Sequence, residues 1–318
     1  MFRRMTESES KVPRATTRGA GGVALALQGG GAHGAFVWGV LDRLLEGGLE
    51  VEAISGVSSG AISGAILAQG MASGGPARAR AELRLFWERL GSGAGPGPLG
   101  AWLWAADMLG AFAWQGMETM LRHFAPAQIN PMGHNPLRPL LAATLDPTRL
   151  KARGAPRLFV AATDVLSGEP VVFGNDEVTV DVLLASACVP LIFTAVEIGG
   201  RAYWDGGCAG NPPLAPLVAP RPPRELVVIR AHPVRRRTLP QSQAEIINRL
   251  NEIACHNVLQ AELALMPPQC RVRIFDADDA LGHLPLSSKF RADRSVLRAL
   301  FAAGRAAVEA QEAAQAAA

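Results

Sequence analysis

The pattern of apolar and polar positions predicts alternating strands and helices in the first part of the chain. Val23–Leu27 is a continuous apolar run that stops at a cluster of glycines, which is typical of a buried parallel strand. Apolar side chains at helical spacing over Ala35–Glu46 predict a helix that a pair of glycines ends. A second strand is predicted at Val51–Ser55, followed by a helix from Ser59 to about Gln69. This order implies parallel strands joined by a crossover helix.

The remaining chain adds further strands and one long helix. Strands are predicted at Arg157–Ala162, Pro170–Phe173 and Glu225–Arg230, and a long helix at Gln241–Leu265. The proline-rich stretch Pro212–Pro223 is predicted to be a surface loop. Because neither a repeat nor a domain boundary is evident, the pattern predicts a single α/β domain.

A tryptophan-rich segment, residues 101–114, interrupts this pattern. It holds Trp102, Trp104 and Trp114 in an otherwise apolar stretch that is too short to cross a bilayer. Two interpretations stay open, a core helix and a lid or interfacial helix that contacts lipid. We therefore expect a partly helical cap on the α/β domain. Because the sequence contains no run of about 18 apolar residues, no transmembrane helix is expected.

Composition excludes several classes of protein. Hydrophobic residues make up 49% of the 318 residues, which indicates a globular chain. The net charge is only +3, and the densest basic run, residues 235–237, has no aromatic neighbours, so no nucleic-acid partner is expected. That run is interpreted as a solvated loop, with contact to anionic lipid headgroups as the alternative. The 4 widely spaced cysteines argue against a zinc site and predict reduced, mostly buried thiols in a cytoplasmic protein.

One serine has the setting of a catalytic nucleophile. The sequence Gly56-Val57-Ser58-Ser59-Gly60 fits the G-x-S-x-G pattern only with Ser58 at its centre. A sharp turn between a strand and a helix exposes such a hydroxyl, and glycines flank it because a Cβ atom there would clash with neighbouring backbone. The helix that begins at Ser59 also directs its free N–H groups toward the serine. The alternative is that Ser58 only caps this helix.

A glycine-rich turn after the first strand is the second candidate element. Its glycines, which we predict to form an oxyanion hole, are Gly29, Gly30, Gly31 and Gly34. Backbone amides in such a turn can bind an anion, and both turns lie at the carboxyl ends of parallel strands, where open α/β sheets bind ligands. The same glycines also match a dinucleotide-binding fingerprint, with Glu50 or Glu52 as the acid that would bind a ribose. A cofactor-binding function is therefore a competing hypothesis.

The base that activates the serine has two candidate sources. In Tyr203-Trp204-Asp205-Gly206-Gly207, an apolar approach delivers Asp205 into a glycine turn, where partial desolvation would raise its pKa and make it a better base. An α/β-hydrolase would instead use a Ser-Asp-His triad, and His232, His256 or His283 could then supply the base. Only two predicted strands precede Ser58, fewer than such a hydrolase usually has.

Taken together, these motifs resemble the patatin-like phospholipase family. The glycine-rich loop, the G-x-S-x-G serine and the D-G-G aspartate (Asp205, Gly206 and Gly207) occur in the family's order. The stretches at residues 185–190 and 210–213 also resemble sequences of this family, so that the resemblance covers about residues 22–217. One departure is His33, which stands where the family's glycine loop usually carries arginine or lysine. Because histidine titrates near neutrality, substrate anchoring or pH response could differ; alternatively, His33 only faces solvent.

The resemblance implies a fold and an activity. The implied fold is a three-layer α/β/α sandwich with a mainly parallel sheet, formed by a catalytic domain at residues 22–304. The first 21 residues would be a disordered tail, and residues 305–318 a fraying helix. The implied activity is hydrolysis of fatty-acyl esters, as in a phospholipase A or lysophospholipase. Ser58 would be the nucleophile and Asp205 the base, without a metal or other cofactor. The implied partner is a lipid ester, with peripheral membrane contact. A non-catalytic membrane-interaction protein on the same scaffold is the alternative.

Overall fold

The structure is a computed structural model, and it describes residues 22–92, 116, 123–284, 286–290 and 292–317. Two predictions, the tail at residues 1–21 and the tryptophan-rich segment 101–114, lie outside these ranges.

A mixed sheet of eight strands forms the centre of the described chain. The strands are β1 (Val23–Leu27), β2 (Val51–Val57), β3 (Arg157–Asp164), β4 (Pro170–Gly174), β5 (Val196–Ile198), β6 (Arg201–Asp205), β7 (Glu225–Ile229) and β8 (Arg271–Phe275). Their order is β5-β6-β3-β2-β1-β7-β8, and β4 also pairs with β3. The run β3-β2-β1-β7-β8 is parallel, whereas the pairings of β4, β5 and β6 are antiparallel. The predicted mainly parallel α/β fold is therefore confirmed.

Helices cover both faces of this sheet. They are α1 (Gly34–Glu46), α2 (Ser59–Gly91), α3 (Pro126–Ile129), α4 (Leu137–Ala142), α5 (Pro147–Leu150), α6 (Val180–Ser186), α7 (Ala215–Val218), α8 (Gln243–Ala264), α9 (Asp278–Leu281) and α10 (Arg294–Ala316). One-turn 3-10 helices occur at Gly31–His33, Gly206–Cys208 and Leu286–Lys289. Helix α2 joins two segments across a break at Gly74 and Gly75, immediately before Pro76, because proline cannot continue the hydrogen bonding of the preceding turn.

The alternation of side chains along the buried strands produces three layers. In β1, Val23, Leu25 and Leu27 pack in one core with helices α1, α2 and α10. The intervening Ala24 and Ala26 belong to a second core on the other face, together with α7 and α8. Because successive side chains of a strand point to opposite faces, one short apolar run serves both cores. The carboxyl ends of β1 and β2 then place the two predicted motifs at one edge of the sheet.

The proline-rich stretch Pro212–Pro223 differs from its prediction as a surface loop. It contains the short helix α7, and Leu214 and Leu217 are fully buried against the second face of the sheet. The apolar side chains within the stretch, rather than its prolines, decide its position.

The C-terminal helix also differs from the expected fraying end. Helix α10 continues to Ala316, and Val308 is fully buried within it. The Arg305 guanidinium binds the carboxylates of Asp42 and Glu46 on α1. Packing and these ion pairs therefore hold residues that the sequence assigns to a frayed tail.

In the described part of the chain, none of the helices combines the length and the apolar character needed to span a bilayer.

Candidate active site

Ser58 lies in a sharp turn between strand β2 and helix α2. Its backbone has φ 54° and ψ −127°, and it is the one non-glycine residue with positive φ in the described ranges. Such strained backbone is concentrated at functional sites. Gly56 precedes the turn within β2, and a Cβ atom on Gly60 would lie 2.3 Å from the carbonyl oxygen of Leu27. The turn therefore packs directly on the end of β1, which explains the glycines of the motif.

A buried serine fixes the backbone of this turn. The Ser58 N–H donates to Ser186 Oγ at 2.9 Å, and Ser186 Oγ donates to the carbonyl oxygen of Ala161 at 2.7 Å. Ser186 has no solvent exposure, and Ser58 retains 8%. The strained turn is thus tied to strand β3, while its hydroxyl group stays at the margin of the protein interior.

Asp205 reaches Ser58 from the end of strand β6. Antiparallel pairing places Asp205 opposite Ala162 of β3, the strand that neighbours β2. The Asp205 carboxylate accepts a hydrogen bond from the Gly207 N–H at 2.8 Å, and the Ser58 hydroxyl is close enough to lower the pKa of this carboxyl. Gly206, the residue after Asp205, packs closely against the Ala161 carbonyl. Two segments about 150 residues apart in sequence therefore meet through a hydroxyl and a carboxylate.

Burial raises the pKa of the Asp205 carboxyl to about 6. The hydrogen bonds from Gly207 and Ser58 and the positive charge of Lys289 act in the opposite direction, but desolvation is the larger effect. A carboxylate with this pKa is a better proton acceptor than an exposed one, and it is still ionised at neutral pH.

The four predicted oxyanion glycines do not have equivalent amides. The Gly29 N–H donates to Asn211 Oδ1 at 2.8 Å, and the Gly34 N–H donates to the Gly31 carbonyl. Because these two N–H groups already have acceptors within the protein, they are not available to an oxyanion. The prediction that all four glycines form the oxyanion hole is therefore not met at Gly29 and Gly34. The Gly30 N–H meets Ser59 Oγ at 3.2 Å, a weaker contact with a hydroxyl that can rotate.

Gly31 is the remaining member of the loop. As the first residue of a one-turn helix, its N–H has no acceptor within that helix. Its φ is +59°, and a Cβ atom there would lie 2.3 Å from the carbonyl oxygen of Lys289. The loop is therefore packed between the nucleophile turn and the segment that contains Lys289.

His33 does not face solvent, and it does not titrate near neutrality. It has no exposed surface, and its Nε2 atom lies 2.7 Å from Ser288 Oγ. Burial, followed by the positive charges of Lys289 and Arg236, lowers the pKa of His33 to about 3. Both interpretations of His33 from the sequence are therefore wrong, because the C-terminal segment covers this side chain. His33 is a neutral residue that anchors the glycine loop.

A buried ionic cluster lies behind the glycine loop. Lys289 Nζ donates to Asn248 Oδ1 at 2.7 Å and to Glu252 Oε1 at 3.1 Å. Glu252 is also bound by Arg236 and Arg249. These cations lower the pKa of Glu252 to about 2 against its desolvation. The chain thus places a paired lysine near Asp205, although the glycine loop itself carries no cation.

The geometry does not support the dinucleotide hypothesis. Glu50 and Glu52 lie at the amino end of β2, whereas Ser58 and the glycine loop lie at the carboxyl ends of β2 and β1. Glu52 instead binds Arg157 and the Gly22 N–H. An acid that binds a ribose next to a glycine turn has to lie at the same edge of the sheet as that turn.

The triad hypothesis lacks the required histidine contacts. The Nδ1 atoms of His232 and His256 are buried without a partner among the described residues, and His283 is exposed. A triad needs one ring nitrogen bonded to the serine and the other to an acid. Among the described residues, the ionisable group that the Ser58 hydroxyl influences is instead Asp205.

Several supporting residues were not assigned a role from the sequence. Ser186 and Asn211 fall within stretches that resemble the family, but their contacts depend on the fold. Gln28 was not singled out, although its Oε1 atom accepts the N–H groups of Ala231 and His232. A polar residue directly after a buried apolar strand was the available signal for Gln28. For Lys289 there was none.

Asn211 is expected to be a positioning residue. Asn211→Ala removes the acceptor of the Gly29 N–H, so the loop should loosen and kcat should fall about 10- to 100-fold with little change in KM. Asn175→Ala is the matched control, because Asn175 also bonds backbone groups, at Leu150 and Leu158, outside the site. Steady-state kinetics on a soluble ester measure both variants. Equal loss of kcat in both would contradict a specific role of Asn211.

Fold and site together define an α/β protein that brings a serine on a strained turn, an aspartate and a glycine loop close together. Residues 25–218, more than half of the chain, match the family model described as patatin-like phospholipase. The chain therefore belongs to the patatin-like phospholipase family.

Similar proteins are known from bacteria. Three relatives named as uncharacterized NTE family proteins, from Mycobacterium bovis and two strains of Mycobacterium tuberculosis, are each 29% identical over 198 residues. The alignment covers 61% of this chain and 45% of each relative, so it spans less than half of their length. A crystal structure of VipD from Legionella pneumophila aligns with 90% of this chain and 67% of that chain, at 12% identity and a TM-score of 0.37.

Proposed function

We propose that this protein hydrolyses fatty-acyl ester bonds of lipids through an acyl-enzyme on Ser58, with Asp205 as the base. One observation carries the proposal: the Ser58 hydroxyl, on a strained turn, faces a buried carboxyl group whose pKa is raised to about 6. The membership of a phospholipase family supports the lipid ester as substrate class.

The proposed reaction proceeds in two steps. The Ser58 oxygen attacks the ester carbonyl carbon as its proton passes to Asp205, and the carbonyl oxygen becomes negatively charged. The N–H groups of Gly30 and Gly31, with the free amides at the start of α2, stabilise this charge. The ester bond breaks, the alcohol leaves with the proton from Asp205, and the acyl group stays on Ser58. Water then attacks the acyl group while Asp205 takes its proton, and the fatty acid leaves as Ser58 regains a proton.

A phosphonate that reacts with activated serines tests the chemistry directly. We expect a fluorophosphonate to label the folded protein stoichiometrically, with the adduct on Ser58 in peptide mass spectrometry, and we expect fatty acid release from phospholipid or lysophospholipid. Absence of labelling in folded protein would favour a non-catalytic scaffold. Labelling without release from any lipid ester would retain the serine chemistry and overturn the lipid substrate.

A further inference from the structure

The outer face of helix α8 carries large apolar side chains although it faces solvent. Five large apolar side chains along it are each 38% to 62% exposed. These residues, here called the apolar stripe, are Ile246, Ile247, Leu250, Ile253 and Val258. The exposed residues of this helix are all uncharged, because its charged side chains are buried or half-buried.

Helix α10, on the opposite face of the sheet, has the ordinary amphipathic pattern. It buries Leu297 and Leu300 and exposes Arg294, Arg298 and Glu309. A surface helix normally has one apolar face, which is directed to the core. Helix α8 already directs Leu259 into the core, so its second apolar face is not needed for folding. A contiguous exposed apolar patch marks a surface that binds something.

The apolar stripe borders the candidate active site. Asn251 Nδ2 donates to the Gly207 carbonyl oxygen at 3.4 Å, and Cys255 Sγ lies 3.2 Å from the same oxygen. The N–H of Gly207 binds the Asp205 carboxylate. Ile247 lies one turn before Asn251 on the same face of the helix, and a Cβ atom on Gly210 would lie 3.6 Å from Val258 Cγ1. One edge of the stripe therefore lies beside the catalytic candidates.

Exposed arginines flank one end of the stripe. Arg235 and Arg237 are exposed in the loop between β7 and α8, and Leu239 in the same loop is 80% exposed. The Arg249 guanidinium fixes this loop to the helix by donating to the Val234 carbonyl oxygen at 2.9 Å. Apolar side chains bordered by arginines suit a surface with an apolar interior and anionic phosphate groups.

We propose that the apolar stripe, with Arg235 and Arg237, docks this protein on a phospholipid bilayer. The proposal rests on the proposed function, because a lipid ester has to leave a membrane to reach Ser58. Docking along the stripe buries the apolar side chains among acyl chains and leaves the arginines at the phosphates.

Vesicle co-sedimentation of a variant with charged residues in the stripe tests this surface. All proteins carry Ser58→Ala so that the vesicles stay intact. The test variant is Ile246→Glu with Leu250→Glu. The control is Leu85→Glu on the outer face of α2, where Leu85 is 45% exposed and Ile246 is 46% exposed. We expect the test variant to lose binding to phosphatidylcholine–phosphatidylglycerol vesicles about tenfold or more, and the control to bind like the parent. The double variant Arg235→Ser with Arg237→Ser should bind more weakly only to vesicles that contain the anionic phosphatidylglycerol.

The outcomes separate this proposal from the proposed function. When Ser58 is kept, the stripe variant should hydrolyse a soluble short-chain ester at the wild-type rate but lose activity on vesicles. Unchanged vesicle binding by the stripe variant overturns the docking surface. Light scattering that shows a dimer dissociating in the stripe variant, without vesicle binding by the parent, assigns the stripe to a second copy and also overturns it. Vesicle binding without hydrolysis of any ester refutes only the proposed function.

Discussion

Ser58→Ala is expected to lower kcat/KM for ester hydrolysis by at least about 10⁴-fold and to abolish fluorophosphonate labelling. The substitution removes the oxygen that would carry the acyl group, so that no covalent intermediate can form. The fold should tolerate it, because the Ser58 N–H that donates to Ser186 is a backbone group and is retained. Circular dichroism and the midpoint of urea unfolding check that the variant is folded, and a chromogenic ester measures the rate.

Two serines of helix α2, which follows Ser58, provide controls. Ser63 is fully buried, and its hydroxyl has no partner among the described residues, so Ser63→Ala should leave the rate unchanged. Ser59 Oγ accepts the Gly30 N–H, so Ser59→Ala should lower kcat by no more than about tenfold through the loop. If Ser59→Ala lost the labelling and Ser58→Ala kept it, the nucleophile would be Ser59, and the choice of Ser58 as the centre of the motif would be wrong.

The sheet was predictable because its central strands are short, almost wholly apolar and bounded by glycine. Val23–Leu27 is observed with the predicted limits, and the strands at Arg157 and Glu225 begin where the pattern places them. The edge strand Arg271–Phe275 escaped prediction because it alternates arginine with apolar residues, and the Arg273 guanidinium lies over the Phe275 ring. A half-exposed edge strand needs no continuous apolar run.

The two candidate catalytic residues, Ser58 and Asp205, could be found in the sequence for a different reason. The geometry of a strand-to-helix turn restricts which residues fit, so the glycines around Ser58 are visible in the sequence. The supports of the site arise from long-range contacts. Asn211 reaches Gly29, and Ser288 reaches His33 across more than 250 residues. No local pattern encodes such pairs, and the interpretation of His33 from the sequence is therefore wrong.

The buried cluster also shows how the site obtains positive charge. The glycine loop carries the neutral His33, but the backbone of Lys289 packs on Gly31 and its ammonium group contributes to the potential at Asp205. Glu252 compensates the charge of Lys289, so the lysine can remain buried. A cation that is supplied by a segment near the C-terminus cannot be inferred from the loop alone.

The second large effect is expected at Asp205. Asp205→Asn keeps an oxygen that can accept the Gly207 N–H but removes the base, so kcat/KM should fall by about 10³- to 10⁴-fold. In the wild-type protein, kcat/KM should rise with pH through about 6, because the pKa of Asp205 is raised to about 6 and only the ionised form can accept the Ser58 proton. Asp176→Asn, in an exposed turn, is the control that should alter neither the rate nor the pH profile.

The same variant should gain stability where it loses activity. The pKa of Asp205 is about 6 in the folded protein against an ordinary value of 3.8, so the folded chain binds the proton more tightly. The contribution of Asp205 to the free energy of unfolding therefore falls as pH rises from about 4 to about 6, and it stays unfavourable above that range. Asp205→Asn removes this cost, and we expect it to raise the free energy of urea unfolding by about 1–3 kcal/mol at pH 8 and by less at pH 4. A variant that stays active would show that Asp205 is not the base, whereas a variant that is less stable than wild type at pH 8 would contradict the raised pKa of Asp205.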